Sequence, residues 1–404
     1  MSEAEQLAIS LTPILDSGTL PPRTRRKLSI GTVAGFVGAV LVGLNIVKVV
    51  GEQASQSTDT ADGILIFFVA LTLAVLIHEL GHLSAGWLLG FRFGLISVGP
   101  VSLQIEHGKL KLSFLRDMAA LGYAGMHVDT VVRLRHRILI YATAGTAANV
   151  LTIPIAVLFA NHTSFAAAHP LLISFAAQLA MISFLLSVGS LVPVPLGASS
   201  STDGFMIATL LKNRERTRRI LSICAIAAQQ QKGVRPKSWK QTWLRAASSV
   251  PDEWIDDFWG NLLAYISAGA RKDEESAGLH LERSLKASRL LTHTVRDLAA
   301  QEAAIFSAWY RRDALVAEKW MTQIKRPKLV QPLTRHRMAI ATCCARAQFE
   351  DALRSWDEGF MYIKALPETP LKETFLNAWL EWRKEIGDRQ NKIQPVATAV
   401  GDQA

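Results

Sequence analysis

Apolar runs long enough to cross a bilayer alternate with polar loops through the first half of the chain and cease after residue 211. About twenty apolar residues suffice for one crossing helix. The pattern predicts four spans: 30–50, 64–89, 138–160 and 171–211. The last is broken by Pro193, Pro195 and Gly197 and resumes at Asp203. Gly31 and Gly35 give the first span a small-xxx-small spacing suited to close helix packing. Between the second and third spans, residues 94–115 alternate apolar and polar positions around His107-Gly108, which predicts a β-hairpin. From about 251 to 386, tryptophans and alanines recur at helical spacing. There Asp313-Ala314-Leu315 and Asp351-Ala352-Leu353 are each followed by a tryptophan, Trp320 and Trp356. That suggests helix-pair repeats of the tetratricopeptide kind, with an ordinary helical bundle as the alternative. The expected fold is mainly α: a polytopic membrane core of four spans with a small membrane-associated β-hairpin, then a soluble α-helical domain. The expected divisions are a tail at 1–29, the core at 30–211, a basic juxtamembrane segment at 212–250, a repeat-like helical domain at 251–386 and a disordered tail at 387–404.

Half of the 404 residues are apolar, too many for one ordinary soluble domain. The net charge of +10 raises nucleic-acid binding as a function, but the placement of the charge argues against it. Arg23, Arg25, Arg26 and Lys27 precede the first span, and Lys212, Arg214, Arg216, Arg218 and Arg219 follow the last. The loops 51–62 and 161–170 carry no lysine or arginine. By the positive-inside rule both ends of the chain are cytoplasmic and those loops are outside. No nucleic-acid partner is expected. Residues 212–250, with Glu215 as their one acid, are expected to lie against anionic lipid headgroups. No cleavable signal pattern precedes the first span. Cys224, Cys343 and Cys344 all follow the spans, which fits a reducing compartment and no disulfide framework.

The chemistry sits in the second span. From Ile64 to Leu89 the only ionisable side chains belong to His78-Glu79-Leu80-Gly81-His82. Ionisable groups at that depth are costly, which marks them as functional candidates. On a helix, His78 and His82 lie one turn apart on one face and can chelate a single zinc ion. Glu79 beside them can take a proton from a water. A catalytic zinc takes three protein ligands and keeps one position open. The third ligand must therefore come from another segment at the same depth. Ten residues separate His82 from Arg92 at the inner boundary, about 15 Å at the helical rise. Nine separate Asp203 from Lys212, about 14 Å if that stretch is helical. Asp203 is also the only acid between Asp129 and Glu215. The alternative for Asp203 is a helix-start residue after Ser201-Thr202. Asn149, in the third span, either bonds a substrate backbone or joins two spans.

Residues 62–212 resemble the site-2 protease family of zinc intramembrane metalloproteases. The resemblance rests on the H-E-x-x-H at 78–82, Gly90, Gly99-Pro100 and Leu121-Gly122-Tyr123. It continues in Gly145-Thr146-Ala147-Ala148-Asn149, similar to a G-P-x-x-N element. Ser190-Leu191-Val192-Pro193-Val194-Pro195 leading to Asp203-Gly204 is similar to an N-x-x-P…D-G segment, whose aspartate is the third ligand. The resemblance implies one zinc per chain held by His78, His82 and Asp203, with Glu79 as the base. It implies substrate-holding roles at Asn149 and Ser190. The implied activity is hydrolysis of a peptide bond in or near the transmembrane segment of a single-pass membrane protein, as in regulated signalling. The expected location is the bilayer of a bacterial inner (plasma) membrane, and the helical spacing of 251–386 separately raises a protein partner at the C-terminal helical domain. Ser190 stands where the family usually has asparagine, and residues 197–202 lengthen the stretch before Asp203. No PDZ module interrupts the core. Two other readings stay open: a catalytically inactive membrane scaffold whose helical domain binds partners, and a metal transporter. Glu79 argues against the first, since a structural site needs no base. A transporter would be expected to carry polar residues along a whole path, which spans one and three do not.

Overall fold

The second apolar run forms one unbroken helix, α1 (Thr60–Leu88), because no proline or β-branched cluster interrupts its leucines and alanines. This is a computed structural model, and it describes residues 14–21, 60–106, 109–114, 121–160, 169–195 and 201–401. The predicted span 30–50 and most of the loops 51–62 and 161–170 lie outside those residues. The chain divides into two units, one of Arg26–Thr217 and one of Met1–Arg25 with Arg218–Ala404.

In the first unit, α1 packs against α2 (Leu134–Ala160) and α3 (Pro170–Leu191), which also pack on each other. Among the described residues these three helices are long and apolar enough to cross a membrane. Their polarity is inverted relative to a soluble protein. Leu65, Phe68, Leu151, Ile155, Leu158 and Leu171 are exposed, whereas Thr146, Asn149, Ser174, Ser183 and Ser187 are buried. Water would oppose that arrangement and a lipid surround favours it. The predicted fourth span ends its long helix at Leu191 and resumes as α4 (Asp203–Lys212).

The predicted hairpin is part of a larger sheet. Strands β1 (Arg92–Val98), β2 (Val101–Glu106), β3 (Lys109–Phe114) and β4 (Gly122–His127) pair antiparallel in the order β3-β2-β1-β4. Glu106 pairs with Lys109, which brackets the predicted His107-Gly108 turn. The sheet exceeds a hairpin because the first predicted arm folds at Gly99-Pro100 into β1 and β2, with Val98 opposite Val101, and β4 returns along β1, from Arg92 opposite His127 to Val98 opposite Gly122. With two glycines in six residues, β4 carries little alternation for a sequence reading to detect. Strands β1 and β4 pack on α1.

The basic stretch after residue 212 begins α5 (Arg214–Gln231). Arg219, expected on a solvated or lipid-facing surface, is fully buried instead. Its guanidinium pairs with Asp252 and Asp256 and donates to the Val250 carbonyl at 2.6 Å. Those partners satisfy the charge and make its burial tolerable.

The second unit then runs through α6 (Gln241–Ala247), α7 (Ile255–Ala270), α8 (Glu274–Ser288), α9 (His293–Trp309), α10 (Ala314–Thr322), α11 (Pro332–Ala345), α12 (Phe349–Lys364) and α13 (Pro370–Gly401). Neighbours in sequence pack on one another. Ala299, Ala300, Ala303, Ala304 and Ala308 bury most of α9 and let its neighbours approach closely. The Trp356 indole donates to the Trp379 carbonyl and the Trp379 indole to the Trp356 carbonyl, at 2.7 and 2.9 Å, which locks α12 to α13. Asp313 caps α10, whereas Asp351 is the third residue of α12. The two Asp-Ala-Leu triplets therefore hold non-equivalent places. Helix α13 continues past Gly387, where a disordered tail was expected, to Gly401. Arg389 explains part of this: it donates to the Trp309 carbonyl at 2.8 Å and lies over the Trp309 ring.

Candidate metal centre

Helix α1 carries His78 and His82 on one face, as their spacing predicts, and α4 brings Asp203 to them. Ligand atoms of the three residues all lie within 4.8 Å of one another. Asp203 Oδ2 is 3.1 Å from His78 Nε2 and 3.4 Å from His82 Nε2. The two histidine Nε2 atoms are 3.3 Å apart. Two imidazoles and a carboxylate facing one point form a donor set that suits zinc and leaves a position open.

The loop before Asp203 explains how a broken span delivers a ligand. Thr202 caps α4 by accepting from the Phe205 N–H at 3.2 Å. Its hydroxyl donates to the Val192 carbonyl at 2.6 Å and accepts from the Val194 N–H at 3.1 Å. Pro195 and Ser201 form a bridge. Pro195 and Ser201 are thus held side by side, and α4 restarts beside the end of α3. Gly204 packs against the backbone of Leu191 there, with no room for a Cβ.

Helix α2 supplies the wall of the site through Tyr141, Gly145 and Asn149, four residues apart and so on one face. The Tyr141 carbonyl accepts from His82 Nδ1 at 2.7 Å. A carbonyl only accepts, so Nδ1 carries the proton and Nε2 offers its lone pair toward the shared point. Metal-ligating histidines are held in this way by an outer partner. Gly145 lies against both rings: a Cβ there would sit 2.8 Å from His78 Nε2 and closer still to His82 Nε2. Asn149 is fully buried, with its amide 3.3 Å from His78 Nδ1 and its Oδ1 without a hydrogen-bond partner among the described residues. Turning the amide end for end directs Oδ1 at His78 Nδ1–H, which leaves His78 Nε2 free as a ligand.

Glu79 is buried on the neighbouring face of α1, and its carboxyl abuts Gly122 of β4. A Cβ on Gly122 would also meet Val75 at 2.7 Å. Ser190 lies on α3 and shares a 2.7 Å hydrogen bond with Thr146, next to Gly145 on α2. One contributor escapes a sequence reading, and a second is only half visible in it. Tyr141 acts through its carbonyl, which has no sequence signature, and its hydroxyl donates to the Ala124 carbonyl of β4 at 2.7 Å. Thr202 had a visible signal, as a hydroxyl residue immediately before a helical aspartate.

Tyr141→Phe removes the hydroxyl that joins α2 to β4 while keeping the carbonyl that orients His82. It is expected to lower stability by about 1 kcal/mol and to leave zinc content unchanged in metal analysis. Loss of zinc from this variant would mean that the hydroxyl, not the carbonyl, supports the centre.

In comparisons with known proteins, no family model matches the chain, and no curated protein or solved structure matches it either.

Proposed function

We propose that the chain is a zinc-dependent intramembrane endopeptidase of the site-2 protease kind. One observation carries the reading: His78 and His82 on a helix long enough to cross a membrane converge with Asp203 from a segment 125 residues away from His78, with Glu79 alongside. His78, His82 and Asp203 would hold one zinc ion. Bound there, zinc supplies a Lewis acid that polarises a carbonyl and acidifies water. The chain's own residues do the rest. Glu79 takes the proton of the attacking water as its oxygen bonds to the scissile carbon. The same carboxyl then returns that proton to the departing nitrogen as the C–N bond breaks. Tyr141 and Asn149 keep the two imidazoles aimed inward, and burial of Glu79 limits competing water.

A transmembrane substrate must first unwind, because helical carbonyls are bonded and shielded. The outer edge of β4, which pairs with no further strand among the described residues, suits the unwound segment as an added strand. It borders the sheet and Gly122 touches Glu79, so an added strand there would run past the base. In this reading the substrate is a single-pass membrane protein. The chain crosses the membrane four times, with both ends cytoplasmic, and the helical domain recruits or regulates through its repeat-like surface. The lysine and arginine asymmetry supports that orientation.

The test is purified protein in lipid vesicles with a single-pass substrate. Stripping the metal with 1,10-phenanthroline should stop cleavage, and one equivalent of zinc should restore it. Cleavage that persists in protein shown to be zinc-free would rule the reading out.

A further inference from the structure

Residues 14–21 lie against the C-terminal helical domain as a guest peptide would. Residues 14–17 form a single helical turn that Gly18 ends at a φ of 66°. Leu15 is buried to 2% exposure. Its N–H donates to Glu282 Oε2 at 3.0 Å, and its carbonyl accepts from the Trp320 indole at 3.1 Å. Arg296 donates to the Pro21 carbonyl at 2.8 Å, and Arg311 pairs with Asp16. Gly18 sits so close to α10 that a Cβ would meet Lys319 Cβ at 2.6 Å.

The host side is built for this contact. Glu282 and Trp320 are buried on α8 and α10, yet the hydrogen bonds described above run to the guest's backbone. Burial raises the Glu282 carboxyl, and it stays up at about 7 even though the N–H groups of Leu15 and Ile14 pull the other way. A buried carboxyl without such donors is costly, so the host gains from an occupant. Three of the polar contacts read main chain, and two features read side chains: a pocket for Leu15 and Arg311 for Asp16. Main-chain bonds with one apolar and one charged anchor are a common way to recognise a peptide. Leu15 and Glu282 are 267 residues apart.

We propose that this groove is a peptide-recognition site that residues 14–21 occupy in cis, and that it takes, in competition with them, a partner-protein segment with the same chemistry. That segment presents a bulky aliphatic residue followed directly by an acidic one, in a helical turn ended by glycine. The proposal does not depend on the protease reading.

The probe is a fluorescein-labelled synthetic peptide with the sequence of residues 11–22, titrated with full-length protein and read by anisotropy. Wild type should bind it weakly, because its own segment competes. Full-length Leu15→Asp should bind it about tenfold or more tightly than wild type. Adding Glu282→Ala to that variant should remove the gain. A probe carrying Asp16→Arg should bind poorly to Leu15→Asp and recover when the host also carries Arg311→Glu. Should Leu15→Asp fail to fold, full-length Asp16→Arg opens the groove by charge repulsion and serves in its place. Equal binding to wild type and to the opened variant overturns the proposal. So does absent binding to an opened variant of unchanged circular dichroism. Concentration-dependent dimerisation of wild type through exchanged N-terminal segments would also overturn it, since the occupant would then be a second copy.

Discussion

Glu79→Gln is expected to abolish measurable cleavage while the purified protein keeps its full zinc content. Glutamine matches glutamate in shape, so the contact with Gly122 and the burial of the side chain on α1 are preserved. What is lost is the ability to accept a proton from water and return it to the leaving nitrogen. Positioned acid–base groups contribute about 10²- to 10⁴-fold in rate, so a loss of at least about a hundredfold is expected. Zinc should stay because Glu79 is outside the group formed by His78, His82 and Asp203. Paired measurement of substrate cleavage and metal content separates the outcomes. Retained proteolysis would sink the mechanism, and lost zinc would make Glu79 a ligand rather than a base.

Asp203→Ala should lose metal and activity together. Both histidine Nε2 atoms face Asp203 Oδ2, and no other carboxylate, histidine or cysteine joins the cluster among the described residues. Two histidines alone hold zinc far more weakly than three ligands do. Occupancy should fall from about one ion per chain to below about a tenth after dialysis against a weak chelator. The fold should persist, because Thr202, not Asp203, caps α4. Asp129→Ala is the matched control: that carboxylate pairs with Arg137 at 3.6 Å and is not part of the cluster. Full zinc in Asp203→Ala, or equal loss in both variants, would falsify the assignment of the third ligand.

The convergence of the three cluster residues was legible in the sequence because two simple regularities encode it. The four-residue spacing fixes one face of a helix, and the helical rise converts residue counts into depth. The extent of the sheet was not legible, since β4 is paired through its backbone and its glycines leave little alternation. Nor was the role of Tyr141, whose carbonyl any residue at that position could supply. Gly145 was visible as part of a motif, but the reason for glycine, two imidazoles against its Cα, is a tertiary fact. Arg219 misled for the opposite reason. It sits in a run of exposed-looking basic residues, and its acidic partners lie more than thirty positions further on. The docking of residues 14–21 had no sequence signal, because nothing in a short tail identifies a host 267 residues away.

That docking also constrains how the chain is threaded. Residues 14–21 and the helices that hold them must occupy one compartment, whichever it is. A chain that leaves a compartment and comes back crosses the membrane an even number of times. The long apolar helices between the two partners number three among the described residues. A chain that crosses on all three must cross once more between Pro21 and Glu282, and the sequence offers 30–50 as a further run of crossing length. Insertion of that run and closure of the groove are thus one parity condition. A molecule that threads incorrectly strands its N-terminal segment on the far face and leaves the groove open to whatever else can fill it.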